Sequence, residues 1–331
     1  MKILGVSLGT KNGNNDTMCR VALEEAQKMG AEIEFIHLFD WDIQTCSGCV
    51  ACSRGLVTGK GMICTRKDDF AALYEKMVEA DGLLFVDPIY ESGASGLFHI
   101  ITDRMGPGHD TGLLFGANMQ MKAAGKEGLP DRLFQQKACS FVGIGGSDWA
   151  VRVETDHAML AMSPGWKVID NDFFSWSKDV IMQDDKVERM KEIGRNLVEA
   201  AQQIIEDNAN CHEFPIAELT EKSYWKGKEG ACPHCQGNAF YIYPGTTTAE
   251  CELCGLQGTL KIKDGAFKLE FDPATEWHAH DTISGKKAHG DDIFENEGRL
   301  MNLYKDPEFK ARKAHYTAVC EPTPSGTNLS R

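Results

Sequence analysis

The sequence lacks three features that would each define a class of protein. No run approaches the roughly 18 consecutive apolar residues that cross a bilayer, so we expect no membrane-spanning segment. Lysine and arginine total 35 against 49 acidic residues, and the net charge of -14 argues against extensive binding to nucleic acid. The first ten residues hold only a short apolar run broken by glycine, unlike a signal peptide, so we expect a cytoplasmic protein.

Cysteine, in contrast, is plentiful, with 12 residues in a chain of 331. The length allows two domains, and 42% hydrophobic with 25% charged residues is typical of a globular protein. A reducing compartment does not favour a disulfide framework. Because eight of the cysteines fall into two clusters, metal binding is the favoured interpretation.

Hydrophobic patterns alternate between strands and helices over the first two thirds of the chain. Strands are predicted at 3–8, 31–39, 82–90, 138–146 and 166–173, and helices at 16–29, 69–79, 94–105, 149–162 and about 184–207. Residues 106–136 are glycine-rich and are predicted to be an irregular loop, of a length that often marks a functional segment. This alternation predicts an α/β fold with a flavodoxin-like five-stranded parallel sheet of order 2-1-3-4-5.

The pattern changes after this α/β domain, which we assign to residues 1–207. A linker is predicted at 208–230, a small metal-ribbon domain at 231–272, and an extended polar tail at 273–331.

Three loops follow predicted strand ends, where sheets of this class bind their ligands. Residues 7–17 combine small polar side chains with glycine before a helix, which suits a phosphate monoester, although a simple capped helix start gives the same pattern. In the loop 87–95, Tyr90 could cover a flat ring, and 143–149 is a glycine turn. Together the three loops favour a flat phosphorylated cofactor.

Five segments carry a resemblance to a known family. They are "SLGTKNGNNDTM", "CSGCVAC", "CTRKDDF", "EADGLLFVDPIYESGASGLFHIITDR" and "VGIGGS". In this order they resemble the NADPH-dependent FMN reductase superfamily and, within it, the iron–sulfur flavoproteins, over about residues 1–205.

The resemblance implies an FMN cofactor, NAD(P)H as co-substrate and a homodimer or higher oligomer. The implied phosphate ligands are Ser7, Lys11, Asn12, Asn14 and Thr17. The implied contacts to the isoalloxazine ring are Pro88, Ile89, Tyr90 and Ser92 on one side and Gly145 and Gly146 at the other edge. The sequence departs from the family pattern in a longer phosphate loop, in Asp16 beside it, and in Asp87 where a small residue is usual.

The first cysteine cluster is Cys46, Cys49, Cys52 and Cys64. The first three have the spacing that places three thiolates on one face of a [4Fe-4S] cluster, and a distant cysteine completes the set. The family has a shorter gap before the last cysteine, so "RGLVTGKG" is interpreted as an inserted loop. Buried thiols and a zinc site are the alternatives.

The second cluster is Cys232, Cys235, Cys251 and Cys254. Two Cys-x2-Cys pairs fifteen residues apart are typical of zinc knuckles on a β-ribbon, with Gly255 in a tight turn. Iron of the rubredoxin type is the competing metal. The ribbon lacks a strong basic patch, so nucleic-acid binding is a minor alternative.

The tail contains His278, His280 and His289. They could form a lid over the flavin with His278 or His280 as a proton donor, or a third metal site, or they could belong to a solvated tail, which we favour.

The main functional hypothesis is an oxidoreductase. NAD(P)H or a ferredoxin-like donor would reduce FMN, a [4Fe-4S] cluster would relay electrons, and a small quinone, nitro or enone acceptor would be reduced, with Tyr90 shaping the pocket. The alternative is a redox sensor or electron carrier that docks a protein partner through the zinc ribbon.

Overall fold

The computed structural model describes residues 1–62, 64–209 and 222–322. Its larger sheet has five parallel strands in the order β2-β1-β3-β4-β5, which confirms the predicted topology. The strands are β1 (Lys2–Ser7), β2 (Glu32–His37), β3 (Gly82–Pro88), β4 (Ala138–Ile144) and β5 (Lys167–Phe174).

Seven helices accompany this sheet in the described ranges. They are α1 (Asn14–Lys28), α2 (Ala51–Val57), α3 (Phe70–Glu79), α4 (Gly96–Met105), α5 (Thr111–Ala123), α6 (Val153–Met162) and α7 (Asp184–Ala209). In β3, Leu83 and Phe85 pack on the face covered by α3 and α4. Leu84 and Val86 pack on the other face, against α1 and α7. Because both faces are buried, β3 is apolar from Leu83 to Val86, as parallel strands usually are.

The prediction of an irregular loop at 106–136 was wrong. Short 3-10 helices cover Pro107–His109 and Asp131–Phe134, and α5 lies between them. The glycines that obscured this helix are required by its packing. A side chain at Gly112 would lie 1.9 Å from the carbonyl oxygen of Lys286, and one at Gly116 would lie 2.6 Å from the ring of Phe294.

A four-stranded antiparallel ribbon follows, with β6 (Phe240–Ile242), β7 (Ala249–Cys251), β8 (Gln257–Lys263) and β9 (Ala266–Phe271). Its apolar side packs against Ala158 and Met162 of α6 and Val168 of β5. Part of the predicted linker, residues 210–221, lies outside the described residues.

The expected extended tail instead contains two helices, α8 (Ile283–Leu303) and α9 (Pro307–Thr317). Helix α8 packs along α5, and the Lys286 ammonium lies 3.2 Å from the carboxylate of the helix-capping Asp110. No residue of α9 is buried. In the part of the chain that the structure describes, no helix is long and apolar enough to cross a membrane.

Candidate functional site

The turn between β1 and α1 forms an uncapped helix N-terminus at the carboxyl edge of the sheet. Gly13 occupies the N-cap position, and no side chain there accepts a hydrogen bond from the first turn. Asn12 has a positive φ of 58°. The amides of the first helical turn and the positive end of the helix dipole therefore face the loop, an arrangement that suits a phosphate group.

The five predicted phosphate ligands all lie on this loop or beside it: Ser7, Lys11, Asn12, Asn14 and Thr17. Lys11 is exposed and Ser7 is buried. The side-chain amide of Asn14 donates to the carbonyl oxygen of Ser177 at 3.1 Å. The hydroxyl of Thr17 donates to the carbonyl oxygen of Gly13 at 2.9 Å. The last two side chains hold the backbone of the loop, and the ligand assignments remain predictions.

Asp16, the unusual acid beside this loop, is fully buried. One carboxylate oxygen accepts from the amide of Asn12 at 2.7 Å, and the other lies 3.0 Å from Nδ1 of His37. Burial alone would raise the pKa of Asp16, but hydrogen bonds from Ser7, Asn12 and His37 outweigh burial and lower it. Asp16 therefore braces the loop as a carboxylate that is already paired with the amide of Asn12 and with His37.

The loop after β3 carries the predicted contacts Pro88, Ile89, Tyr90 and Ser92. Tyr90 and Gly93 exchange two backbone hydrogen bonds, of 3.1 and 3.0 Å, around Glu91 and Ser92, whose φ values of 47° and 64° are both positive. This tight turn leaves the Tyr90 side chain 62% exposed. An exposed ring at the carboxyl edge of the sheet is available to stack on a flat ligand.

The glycine turn after β4 is tied to the end of β5. The amide of Gly145 donates to the carbonyl of Phe174 at 2.9 Å, and Gly145 accepts from the amide of Ser177 at 3.0 Å. At Gly146, an added side chain would meet only the end of Lys178. Gly146 thus presents backbone next to open space, whereas Gly145 is buried and a side chain there would lie 3.1 Å from Ile89.

Two tryptophans that the sequence patterns did not single out flank this edge. Trp149 follows β4 and is 62% exposed, and Trp176 follows β5 and is 64% exposed. With Tyr90, they give three exposed aromatic rings on three successive strand-end loops. The sequence signal that could have identified these two tryptophans is a single aromatic residue in the polar segment that follows each strand.

The first cysteine cluster is open to solvent. Cys46, Cys49 and Cys64 are exposed, and Cys52, in α2, is half-buried. A hydrogen bond with the Thr65 hydroxyl is the main cause that lowers the pKa of Cys49 to about 7. Burial raises the pKa of Cys52, and nearby Cys46 and Cys64 raise it further. Cys46 and Cys64 therefore lie near Cys52, and these cysteines do not form a compact group like that of the ribbon in the residues that the structure describes.

The inserted segment after Cys52 is not the flexible loop that was expected. Arg54 to Val57 complete α2, and Leu56 is buried in a cluster with Leu113 and Leu114 of α5. This packing holds the first half of the insertion against α5.

Cys64, the last member of the first cysteine cluster, is contacted by Arg104 of α4. The Nη2 atom of Arg104 lies 3.4 Å from the Cys64 sulfur and 3.1 Å from a carboxylate oxygen of the buried Asp68. Because an N–H group directed at sulfur stabilises a thiolate, Arg104 would support Cys64 as a thiolate ligand.

The second cysteine cluster is compact and buried. The sulfurs of Cys232 and Cys254 are 3.6 Å apart, and those of Cys235 and Cys251 are 3.4 Å apart. All four lie within 4.8 Å of one another, the one such group in the described ranges. Tetrahedral zinc with Zn–S bonds of about 2.3 Å requires sulfurs about 3.8 Å apart, so these residues fit a single ion. Hydrogen bonds from the other three thiols lower the pKa of Cys251 far below its usual value.

The structure places His278 and His280 beside this ribbon. The amide of His280 donates to the carbonyl of Cys254 at 2.8 Å. His280 also lines a cavity of about 250 Å³ together with Trp166 and Lys167, at the amino end of β5. Tyr90 follows the carboxyl end of β3, so the two histidines and the tyrosine occupy opposite ends of the sheet.

The family model of NADPH-dependent FMN reductases matches residues 1–180. This is more than half of the chain, and the chain belongs to that family, whose members are FMN-dependent reductases. The fold and the strand-end loops agree with this assignment.

Individual relatives fall into two groups. An iron–sulfur flavoprotein of Archaeoglobus fulgidus is 31% identical over 150 residues, 45% of this chain and 64% of that protein. The chain thus spans less than two thirds of that relative. A flavone synthase of Aspergillus candidus is 26% identical over 311 residues, 88% of each chain. A solved flavone reductase is 39% identical with a TM-score of 0.81, covering 98% of this chain and all of that one.

Proposed function

We propose that this FMN-dependent reductase reduces the conjugated carbon–carbon double bond of a flat aromatic enone of the flavone class. The observation that carries the proposal is the likeness to flavone reductase, which extends over 98% of this chain. Iron–sulfur flavoproteins match 150 residues or fewer. The similarity to proteins named for flavones therefore includes the ribbon and the C-terminal helices.

The strand-end loops support a flat cofactor and a flat substrate. The uncapped start of α1 would hold the FMN phosphate, and the rings of Tyr90, Trp149 and Trp176 offer surfaces for stacking. Bound FMN would supply a hydride derived from NAD(P)H or electrons from a ferredoxin-like donor. Reduction of an enone also consumes one proton, and the exposed hydroxyl of Tyr90 is the candidate donor.

The two cysteine clusters have separate proposed roles. Cys46, Cys49, Cys52 and Cys64 would hold a [4Fe-4S] cluster that relays single electrons. Along α4, Ser95 at the end of the 87–95 loop and the Arg104 that contacts Cys64 are separated by about 14 Å of helix. The ribbon cysteines would hold zinc in a structural role.

We also propose a homodimer in which a second copy covers the exposed aromatic edge. Val151, beside Trp149, is 79% exposed, and the three rings at this edge are each more than 60% exposed. So much apolar surface at one edge is typical of a binding or subunit surface.

Steady-state assays without oxygen test the proposed activity. The full-length protein, loaded with FMN, is mixed with NADH or NADPH and with a flavone, a quinone or a nitroaromatic compound. We expect the flavone to be converted to a product with two more hydrogens, detected by mass spectrometry. Flavin reduction without turnover of any acceptor would contradict the proposal and favour a redox sensor or carrier.

A further inference from the structure

The flavin loop, residues 87–95, contains a turn that needs external support. Glu91 and Ser92 are consecutive non-glycine residues with positive φ, a conformation that is unfavourable for side chains with a Cβ atom. The two hydrogen bonds between Tyr90 and Gly93 close the turn but do not fix its position over the sheet.

Asp87 joins the two ends of this loop. It is the penultimate residue of β3, and its side chain is fully buried. Its carboxylate accepts from the amide of Ser95 at 2.7 Å and from the Ser95 hydroxyl at 2.5 Å. The same hydroxyl accepts from the amide of Phe98 and caps α4. One carboxylate thus ties the end of β3 to the start of α4.

His157 of α6 supports this carboxylate from behind. Its Nε2 atom lies 3.3 Å from Asp87, and its ring is fully buried. The rings of Phe98 and Phe141 lie 4.7 and 5.8 Å away, between centroids. Nδ1 has no hydrogen-bond partner in the described part of the chain. The contact with Asp87 is therefore the polar interaction that orients this imidazole, with Nε2 as the donor.

A second contact from α6 fixes the middle of the loop. A carboxylate oxygen of Asp156 accepts from the amide of Ala94 at 3.0 Å, and the amide of Arg152 donates to the carbonyl of Ser92 at 2.9 Å. A side chain at Gly93 would lie 2.3 Å from Asp156. The loop is thus clamped from one face of α6 and from Asp87.

We propose that Asp87, with His157 behind it, is a positioning residue that sets the height and tilt of the 87–95 loop against the flavin ring. This role rests on the proposed function, since it requires that the loop contacts FMN. A carboxylate is suited to this position because it offers two acceptor oxygens. Together they accept from the amide and the hydroxyl of Ser95 and from Nε2 of His157. A small residue at position 87 reaches none of these donors.

Substitution of Asp87 tests the proposal in the full-length protein. Asp87→Asn keeps the size but sets an NH2 group against one of the three donors. We expect the dissociation constant for FMN, measured by flavin fluorescence, to rise about tenfold, the effect of losing one well-placed hydrogen bond. The midpoint potential of the bound flavin should also shift. Asp103→Asn, an exposed acid on α4, is the matched control and should change neither value.

Variants at His157 and Ser95 keep the test decisive if Asp87→Asn does not fold. Ser95→Ala removes one donor and should weaken FMN binding. His157→Gln retains an N–H donor and should bind FMN more tightly than His157→Leu.

The outcomes separate this role from the proposed function. A wild-type chain that binds no FMN contradicts both. If the wild type binds FMN and the folded variants show the same FMN affinity and flavin midpoint potential, only the role of Asp87 is contradicted. A loss of thermal stability without a change in potential would reduce Asp87 to a purely structural residue.

Discussion

The two cysteine clusters use the same ligand type in opposite ways. In the ribbon, paired sulfurs lie 3.4 and 3.6 Å apart and three of the four cysteines are buried. In the segment 46–64, three of the four are exposed, and their support comes from Thr65 and Arg104 outside the motif. The ribbon has little core of its own, so on our proposal it would depend on a bound metal. The segment 46–64 is anchored by its packing on the α/β domain, so its folding would depend less on a bound metal.

This difference predicts the largest effect for the ribbon. Cys232→Ser combined with Cys251→Ser should abolish zinc binding and unfold the ribbon, because structural zinc contributes on the order of 10 kcal/mol in small metal domains. Metal analysis and calorimetry would show loss of the ion and a new low-temperature transition. Cys320→Ser, at an exposed cysteine outside both clusters, is the control. A variant pair that melts like the wild type would contradict a structural metal.

A smaller effect is expected at the ion pair that supports Cys64. The side chains of Arg104 and Asp68 are 3% and 1% exposed, so Arg104→Gln leaves a buried carboxylate unpaired. We expect a loss of about 3 kcal/mol in the free energy of unfolding, measured in urea. Arg132→Gln breaks the exposed pair with Glu75 and should cost less than about 1 kcal/mol. Equal losses would contradict the buried role of Arg104.

The anchoring of the insertion is tested at Leu56, which is 1% exposed. Leu56→Ala removes buried methyl groups between α2 and α5 and should cost about 2–3 kcal/mol. Val57→Ala, at a partly buried neighbour, should cost less. If Leu56→Ala has no effect on urea unfolding, the segment is the mobile loop that its sequence suggests.

The smallest effect on stability is expected for the ligands of the first cluster. Cys64→Ser should lower the iron and acid-labile sulfide of protein purified without oxygen from about four of each per chain, while the melting temperature changes little. Cys320→Ser should retain full iron content. A wild-type protein that contains flavin but no iron would contradict a cluster at these cysteines.

The sequence predicted the parts of the fold that depend on local pattern. Apolar runs mark β1, β3 and β4, an apolar alternation marks β2, and the ribbon cysteines have a spacing with few structural meanings. Helices α5 and α8 were missed, since Gly112, Gly116 and Gly290 resemble loop residues. They are small because the two helices approach closely there, and the sequence conceals this contact because its partners, such as Asp110 and Lys286, are 176 positions apart.

For the candidate site, the sequence predicted the positions of the loops but not the orientations of their side chains. The loops were located correctly because parallel strands place their carboxyl ends together. The orientation of individual side chains was not predictable. Asp16 turns toward His37 and Asp87 toward His157, and both partners come from other elements of the fold.

Single-turnover reoxidation of the flavin tests the central claim most directly. The FMN-loaded protein is reduced without oxygen, freed of excess reductant and mixed with a flavone in a stopped-flow instrument. We predict that the flavin absorbance returns with one flavone consumed for each flavin. A flavin that stays reduced in the presence of flavone, yet reoxidises with a quinone, would contradict the assignment to flavone-class enones.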